Sequence, residues 1–215
     1  DQTGFVSIPK GEGGSYQVKL VNQTDADNYK TYSFTIDSIA PEVNLGGVGD
    51  GGTTNGNVTV SWGDSDVASA TVSLNGSDPT PFASGTTFDK EGTYVITVTD
   101  DLGNVTEETF VIDKTVDYEA TTSDGKRIGG DATTSDDVTV TANEPATVTV
   151  IKDGEPYAYS FGDKLTEEGT YLITVEDAYG NKTSFTIVID KTVAFGMDVA
   201  DGGISNGPVS ITAGE

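Results

Sequence analysis

The feature that most constrains this chain is an internal repeat of about 77 residues. Residues 91–116 read EGTYVITVTDDLGNVTEETFVIDKTV, and residues 168–193 read EGTYLITVEDAYGNKTSFTIVIDKTV, so that 18 of 26 positions are identical without a gap. A third, weaker copy occupies residues 13–37. Self-similarity at a fixed period indicates that one structural unit is used several times along the chain.

The phase of the repeat predicts how the chain is divided. Asp37, Asp113 and Asp190 close the three copies. We expect residues 1–37 to form the C-terminal half of a module, 38–113 and 114–190 one complete module each, and 191–215 the N-terminal part of a further module. A partial module leaves a sheet edge and an apolar face uncovered. We therefore expect both partial modules to be completed by neighbouring sequence or by another molecule.

The pattern within one period is typical of β-strands. Val, Ile, Tyr and Phe alternate with Thr and Ser, and turn signals recur every 8–12 residues. The expected strands of the first complete module are 42–45, 58–62, 70–74, 81–83, 86–88, 94–99 and 106–112, with 46–57 as a Gly/Asn-rich loop. The predicted fold class is all-β, as tandem immunoglobulin-like β-sandwich modules of about seven strands each.

One tyrosine has a specific structural expectation in each module. Tyr94 and Tyr171 each follow Glu-Gly-Thr and open the penultimate strand. This position is typical of a tyrosine corner, in which the hydroxyl bonds to the backbone of the preceding turn. An ordinary half-buried aromatic side chain is the alternative.

Composition excludes several classes of partner. The chain carries 35 Asp and Glu against 11 Lys and Arg, a formal net charge of −24. Phosphate backbones and anionic lipids would repel it, so we expect no nucleic acid partner and no membrane insertion in this segment. Cys is absent, which excludes disulfides. A Cys-free, acidic, Thr- and Gly-rich chain points to an extracellular place on a bacterial surface.

The sequence predicts that the chain is not an enzyme. His is absent, so no serine has the usual base to activate it. Neither a phosphate-binding loop nor a dinucleotide fingerprint occurs. A catalytic site would also be expected once, not in every period.

The chain resembles the bacterial immunoglobulin-like repeat domains of cell-surface adhesins and cell-wall proteins. The resemblance rests on Gly92-Thr93-Tyr94, on the turn 100–104, and on Val111 to Thr115 with their copies one period later. It implies extracellular, stalk-like tandem arrays on the cell surface or cell wall, and some members bind Ca²⁺ between modules. The turn reads Asp27-Asn28 in the first copy, where the others have Gly-Asn, which weakens a site there.

Acidic residues near the module ends are candidate calcium ligands. In an immunoglobulin-like sandwich the loops after the second and sixth strands lie at the end where the chain arrives, so carboxylates from both loops should meet the preceding linker. The candidate residues are Asp37, Asp64, Asp66, Asp100, Asp101 and Asn104 for the first module, and Asp113, Glu144, Asp177 and Asn181 for the second. Ca²⁺ prefers such oxygen ligands. The alternative is that Asp and Asn only stabilise the turns; no other cofactor is expected.

Three functions remain open at this stage. The leading hypothesis is a structural stalk that holds a distal functional domain away from the cell, with neighbouring repeats of a longer chain as its partners. The second is an adhesive module for host glycan or protein, favoured if Tyr157, Tyr159 and Tyr179 are exposed. The third is self-association into a fibre or surface layer.

Overall fold

A computed structural model describes residues 13–192, 195–200 and 202–213 of the 215-residue chain. The chain divides into two compact units, Asp1–Lys114 and Thr115–Glu215. Every regular element in the described residues is a β-strand. Among the described residues there is no apolar helix of a length that could span a membrane. The all-β class predicted from the alternation of Val and Ile with Thr is confirmed.

The first unit contains a hairpin and a two-sheet sandwich. Its strands are β1 (Gly14–Val21), β2 (Tyr29–Ile36), β3 (Val43–Gly46), β4 (Gly52–Thr54), β5 (Val58–Trp62), β6 (Val67–Leu74), β7 (Thr80–Pro81), β8 (Thr86–Phe88), β9 (Gly92–Asp100) and β10 (Val105–Ile112). One sheet has the order β3-β5-β8 and the other β4-β10-β9-β6-β7, while β1 and β2 form a two-stranded sheet among the described residues. All pairings are antiparallel except β4 with β10, which is parallel.

The second unit repeats this arrangement. Its strands are β11 (Tyr118–Thr122), β12 (Ala132–Thr134), β13 (Val138–Ala142), β14 (Ala146–Lys152), β15 (Glu155–Tyr157), β16 (Lys164–Leu165), β17 (Gly169–Asp177), β18 (Lys182–Ile189), β19 (Phe195–Met197) and β20 (Ile211–Ala213). The sheets have the orders β11-β13-β16 and β12-β18-β17-β14-β15. Two modules of identical strand order, each with an N-terminal strand split between both sheets, are immunoglobulin-like β-sandwiches.

Each core forms around a central strand, β9 or β17, in which buried and more exposed residues alternate. Along β9, Tyr94, Ile96 and Val98 are buried, and the residues between them face outward. Phe110 and Ile112 of β10 meet them from the adjacent strand, and the ring of Phe110 stacks on Tyr94 with centroids 4.7 Å apart. Full burial of a side chain of this size stabilises the fold by about 1.5–3 kcal/mol.

The predicted tyrosine corner is confirmed in both modules. The hydroxyl of Tyr94 donates a hydrogen bond to the carbonyl of Lys90 at 2.8 Å, and Tyr171 donates to Glu167 at the same distance. The local geometry also explains the glycine two residues before each tyrosine. Gly169 adopts φ +146°, and a Cβ there would lie 2.6 Å from the carboxylate of Asp153. That carboxylate caps the strand by accepting the N–H of Thr170 at 2.8 Å.

The expectation of about seven strands misses one in each module. The segment 46–57, expected to be a loop, contains β4, and β12 takes the same place in the second module. Each is a three-residue strand that pairs in parallel with the last strand of its own module. Neither segment shows apolar alternation. Each of the two strands forms because it pairs with a strand more than 50 residues away in sequence, which a local pattern does not indicate.

The hairpin β1–β2 pairs in the same register as β9–β10, but the face that is buried in β9–β10 is exposed in β1–β2. Tyr16 pairs with Phe34 in it, as Tyr94 pairs with Phe110. Phe34 is 41% exposed, whereas Phe110 is 1% exposed. Near the other end of the sequence, β19–β20 repeats the register of β3–β5, with Met197 opposite Ile211. The division into segments 1–37, 38–113, 114–190 and 191–215 stays a prediction, and residues 1–12, 193–194, 201 and 214–215 lie outside the described residues.

Candidate metal centre

The turn between β9 and β10 is organised around one carboxylate. Oδ1 of Asp100 accepts the backbone N–H groups of Leu102 and Asn104 at 2.9 and 2.8 Å, and Oδ2 accepts the side-chain amide of Asn104 at 2.7 Å. Gly103 allows this tight path because its φ is +87°. The sequence Asp-x-x-Gly-Asn therefore specifies a turn with the carboxylate held inside it.

The turn between β17 and β18 has the same geometry. Asp177 accepts the N–H groups of Tyr179 and Asn181 at 2.8 and 2.9 Å on Oδ1, and the side-chain amide of Asn181 at 2.7 Å on Oδ2. In both turns the nitrogen of the asparagine amide faces the aspartate. Asn104 and Asn181 thus position the carboxylate, which the spacing alone did not reveal.

Both carboxylates are almost inaccessible to water and remain charged. Asp100 is 3% exposed and Asp177 is 7% exposed. Burial raises the pKa of each carboxyl group, but the bonds from the asparagine side chain and from three backbone N–H groups outweigh it, so the pKa lies below the ordinary value of 3.8. A buried negative charge of this kind favours a nearby cation.

Three of the predicted ligands converge in the first module. Asp37, Asp66 and Asp100 each place one carboxylate oxygen within 4.8 Å of the other two. They come from the segment before β3, from the loop before β6 and from the end of β9. Backbone bonds hold this arrangement, because the N–H of Asp101 donates to the carbonyl of Asp66 at 2.9 Å. The four ion pairs among the described residues include none of the three carboxylates.

Other predicted residues of this group have structural partners. Asp64 accepts the backbone N–H of Glu42 at 2.8 Å, which fixes the start of β3. The side-chain amide of Asn104 lies 3.4 Å from the carbonyl of Asp37. The arriving segment is therefore tied to the turn by a bond from Asn104 as well as by the carboxylate cluster.

The predicted residues of the second group are described within their own units. Asp113 follows β10 in the first unit, and its N–H donates to the carbonyl of Thr54 at 2.9 Å. In the second unit, Glu144 accepts the backbone N–H of Asp117, and Asp177 occupies its turn with Asn181.

The first cluster suits a hard divalent cation. Ca²⁺ holds oxygen ligands at 2.3–2.6 Å, so ligands of one ion lie within about 5 Å of each other, as these three oxygens do. Each carboxylate oxygen has two lone pairs, and Oδ2 of Asp100 uses one for Asn104. A lone pair on this oxygen remains for a metal ion.

The tyrosines considered for glycan binding differ in exposure. Tyr157 packs against the core with its ring edge to Tyr171, at a centroid distance of 5.6 Å. The hydroxyl of Tyr159 bonds to Val140 N–H at 2.7 Å and to the carbonyl of Asp163 at 2.8 Å. Tyr179 is 43% exposed. Two of the three rings therefore serve the module interior.

Comparison with known proteins gives structural likeness only. No protein-family model and no curated protein matches the chain. Solved structures that match include an I-band fragment, I67–I69, of titin (8% identity, 85% of this chain and 75% of that one, TM-score 0.31). Others are Dpr2 Ig1–Ig2 in complex with DIP-Theta Ig1–Ig3 (12%, 85% and 74%, TM-score 0.35) and extracellular domains 3–5 of Drosophila OTK (15%, 86% and 73%, TM-score 0.29).

The sequence identities and TM-scores of these alignments are too low to carry an argument. The class of the protein follows from the strand order of the two sandwiches. The chain consists of tandem immunoglobulin-like β-sandwich modules.

Proposed function

We infer that this chain is a structural spacer of a bacterial surface protein, which holds a distal functional domain away from the cell. The observation that carries the proposal is the recurrence of one architecture in both complete modules. Strand order, tyrosine corner and aspartate turn are the same in both copies. A feature shared by the two complete modules serves the array, whereas a binding or catalytic specialisation would be expected to distinguish one module.

The segments after the last strands support a spacer of limited flexibility. Only residues 113–117 separate β10 from β11. Lys114 Nζ donates to the side-chain oxygen of Asn57 at 2.9 Å, and Lys191 Nζ lies 2.6 Å from the carboxylate of Asp137. Each lysine therefore holds the departing chain against its own module. Short, anchored linkers restrict bending.

Distance measurement between spin labels tests the spacer. Because the chain lacks cysteine, Thr87→Cys and Lys164→Cys introduce unique labels at equivalent strand positions. A semi-rigid array predicts one narrow distance distribution, with a module repeat of about 30–40 Å. A broad distribution reaching short distances would contradict the proposal.

A calcium ion at Asp37, Asp66 and Asp100 is part of the proposal for the first module. The ion would offset the repulsion of three clustered carboxylates and would tie the arriving segment to two loops. A ligand that binds only the folded state raises the melting temperature. We expect Ca²⁺ to raise it relative to chelator in the wild type, and not in Asp66→Asn.

Asp78→Asn is the matched control for the calcium experiment. It removes the same charge from an exposed turn of the same module and should keep the full calcium response. A wild type that melts at the same temperature in Ca²⁺ and in chelator would exclude the site.

Self-association is the second candidate function, and the uncovered face of β1–β2 favours it. On the face of this hairpin that is equivalent to the buried face of β9–β10, Tyr32 and Phe34 are 52% and 41% exposed. The hairpin β19–β20 has the register of the strands that cover the equivalent face in the complete module. Association of two copies through these hairpins would therefore cover part of the exposed face of β1–β2. Light scattering should show mass increasing with concentration, and Phe34→Glu should abolish the increase; a constant monomer mass in the wild type would exclude it.

A further inference from the structure

The sequence contains three Asn-Gly pairs, at positions 55–56, 75–76 and 206–207. Asparagine loses its side-chain amide group most readily in this context, because the backbone nitrogen of the next residue attacks the side-chain carbonyl carbon. Glycine leaves that nitrogen unhindered, since it has no Cβ. The sequence alone makes the three pairs equivalent, and the structure distinguishes them.

Asn75 is held in a conformation that opposes the attack. Its φ is +53°, in the left-handed region, where the next backbone nitrogen lies on the far side of the Cα–C bond from the side chain. Its Oδ1 accepts the N–H of Thr93 at 2.8 Å, and its own N–H donates to the carbonyl of Thr93 at the same distance. Although Asn75 is exposed, this turn must therefore open before the reaction can occur.

Asn55 has none of these restraints. It lies in the exposed turn between β4 and β5, and its φ is not positive. Its side chain makes no hydrogen bond within the described structure. The turn is closed by the N–H of Gly56, which donates to Oγ1 of Thr54 at 3.1 Å. An exposed bond to a neutral hydroxyl is readily exchanged for a bond to water, so the side chain and the nitrogen can approach each other.

The same hydroxyl-closed turn recurs twice along the chain. Oγ1 of Thr134 accepts the N–H of Asp136 at 3.0 Å, and Oγ of Ser205 accepts the N–H of Gly207 at 3.2 Å. The first of these turns has serine in the middle and no reactive pair, whereas the second has Asn206, which is exposed. The turn thus forms with or without Asn-Gly.

We propose that Asn55 and Asn206 are sites of spontaneous deamidation in the folded chain and that Asn75 is protected. At Asn55, the nitrogen of Gly56 gives up its proton and bonds to Cγ, while the side-chain nitrogen takes a proton and leaves as ammonia. Water then opens the succinimide ring at either carbonyl and gives aspartate or isoaspartate. The whole reaction consumes one water and releases one ammonia. The second complete module has no such pair, so the modification goes beyond the spacer role that both modules share.

The position of Asn55 gives the modification a structural consequence. The carbonyl of Thr54 accepts the N–H of Asp113 at 2.9 Å, and the side-chain oxygen of Asn57 accepts Nζ of Lys114 at 2.9 Å. Both contacts hold the chain that leaves β10. Isoaspartate at position 55 adds one methylene group to the backbone between them and so changes their spacing.

Incubation of the full chain at mildly alkaline pH tests the sites, with peptide mapping by mass spectrometry as the readout. In the folded chain Asn55 and Asn206 should convert about tenfold faster than Asn75, because opening of the Asn75 turn breaks its two hydrogen bonds. In guanidinium chloride the turns are lost, and the three sites should convert at comparable rates. Equal rates at Asn55 and Asn75 in the folded chain, or no conversion of Asn55 there, would overturn the proposal.

Gly56→Ala is the matched variant. A Cβ at this position meets Oγ1 of Thr54 at 3.5 Å, an ordinary contact, and the added methyl group hinders the attack. Asn55 should then convert much more slowly, while Asn206 keeps the wild-type rate. Isoaspartyl methyltransferase should label the Asn55 peptide of the aged wild type but not that of the variant. An unchanged rate at Asn55 in the variant would contradict attack by the glycine nitrogen, and the comparison of folded and unfolded wild type stands without the variant.

Discussion

The side-chain amide of Asn181 donates a hydrogen bond to Oδ2 of Asp177 at 2.7 Å, and its backbone N–H donates to Oδ1 of the same carboxylate at 2.9 Å. One residue thus satisfies both oxygens of a buried negative charge. The turn between β17 and β18 depends on this pair, because the carboxylate has been removed from water.

Replacement of Asn181 by alanine should destabilise the second module by about 2 kcal/mol, since a buried hydrogen bond to a charged group is lost. Asn181→Asp should cost more, because it brings a second carboxylate against Asp177. Urea denaturation of the second module measures both. Lys182→Ala, at the exposed neighbouring position, is the control and should change stability by less than about 1 kcal/mol. Equal stability of the alanine variant and the wild type would contradict this account of the turn.

Removal of the corner hydroxyl should have a smaller effect. Tyr171→Phe keeps the buried ring and loses the bond to the carbonyl of Glu167, so the free energy of unfolding should fall by about 1 kcal/mol. That change corresponds to roughly 4–8 °C in the melting temperature of a module of this size. Tyr118→Phe is the control, because the ring of Tyr118 stacks on Phe185 while its hydroxyl has no bond within the described structure. Similar losses in the two variants would show that the corner bond contributes nothing special.

The stability of the first module should depend on pH through Asp50 and Glu108. Burial raises the pKa of Glu108, and the charge of Asp50 and a hydrogen bond between the two carboxyl groups raise it further. The backbone N–H of Thr109 lowers the pKa of Asp50. The protonated Glu108 is therefore favoured in the folded state. Its contribution is complete below the unfolded value of about 4.5 and is lost as the pH rises through the higher folded pKa.

For Asp50 the sign is the opposite, because its folded pKa is lowered. Its contribution is present above its ordinary value of 3.8 and is lost as the pH falls through the folded pKa. Glu108→Gln keeps a hydrogen-bond donor towards Asp50 at every pH. We expect this variant to be more stable than the wild type at pH 7 and similar to it at pH 4. Glu107→Gln removes the same charge from an exposed position beside it, and an equal gain in both variants would point to net charge instead.

Substitution in one core should affect one unfolding transition. Ile96 is fully buried in the first module, and Ile96→Ala should destabilise that module by about 3 kcal/mol through lost burial and the cavity left behind. Ile173→Ala should do the same in the second module. Calorimetry of the full chain should show each variant lowering a different transition. A common shift of one transition would mean that the modules unfold as one unit.

The sequence predicts most of the sandwich because the signals are local. The alternation from Tyr94 to Val98 defines β9, and Glu-Gly-Thr before the tyrosine marks the corner. The meeting of Asp37, Asp66 and Asp100 follows from topology, since the loops after the second and sixth strands lie at one end. Whether a calcium ion binds there stays a prediction.

Two features could not be predicted because their partners are distant in sequence. Strand β4 exists through its pairing with β10. The equivalence of Val72 in β6 and Val150 in β14 is hidden because Thr80 follows its partner Val72 by eight residues, whereas Tyr157 follows its partner Val150 by seven. A gap-free alignment at the 77-residue offset places Thr80 opposite Tyr157 but Val72 opposite Thr149, and only the strand pairing reveals the equivalence.

The parallel pairing of β4 with β10 has a mechanical consequence. Phe110, Val111 and Ile112 pair with Gly52, Thr53 and Thr54, and the bonds from Gly51 to Thr109 and from Asp113 to Thr54 extend this ladder at both ends. The two strands lie near opposite ends of the module sequence but run in the same direction. A pull on the two ends of the module therefore loads all these bonds together in shear, so that they must break at once and not one after another. The small strand that the sequence does not reveal is therefore placed where it would resist a pull along the module.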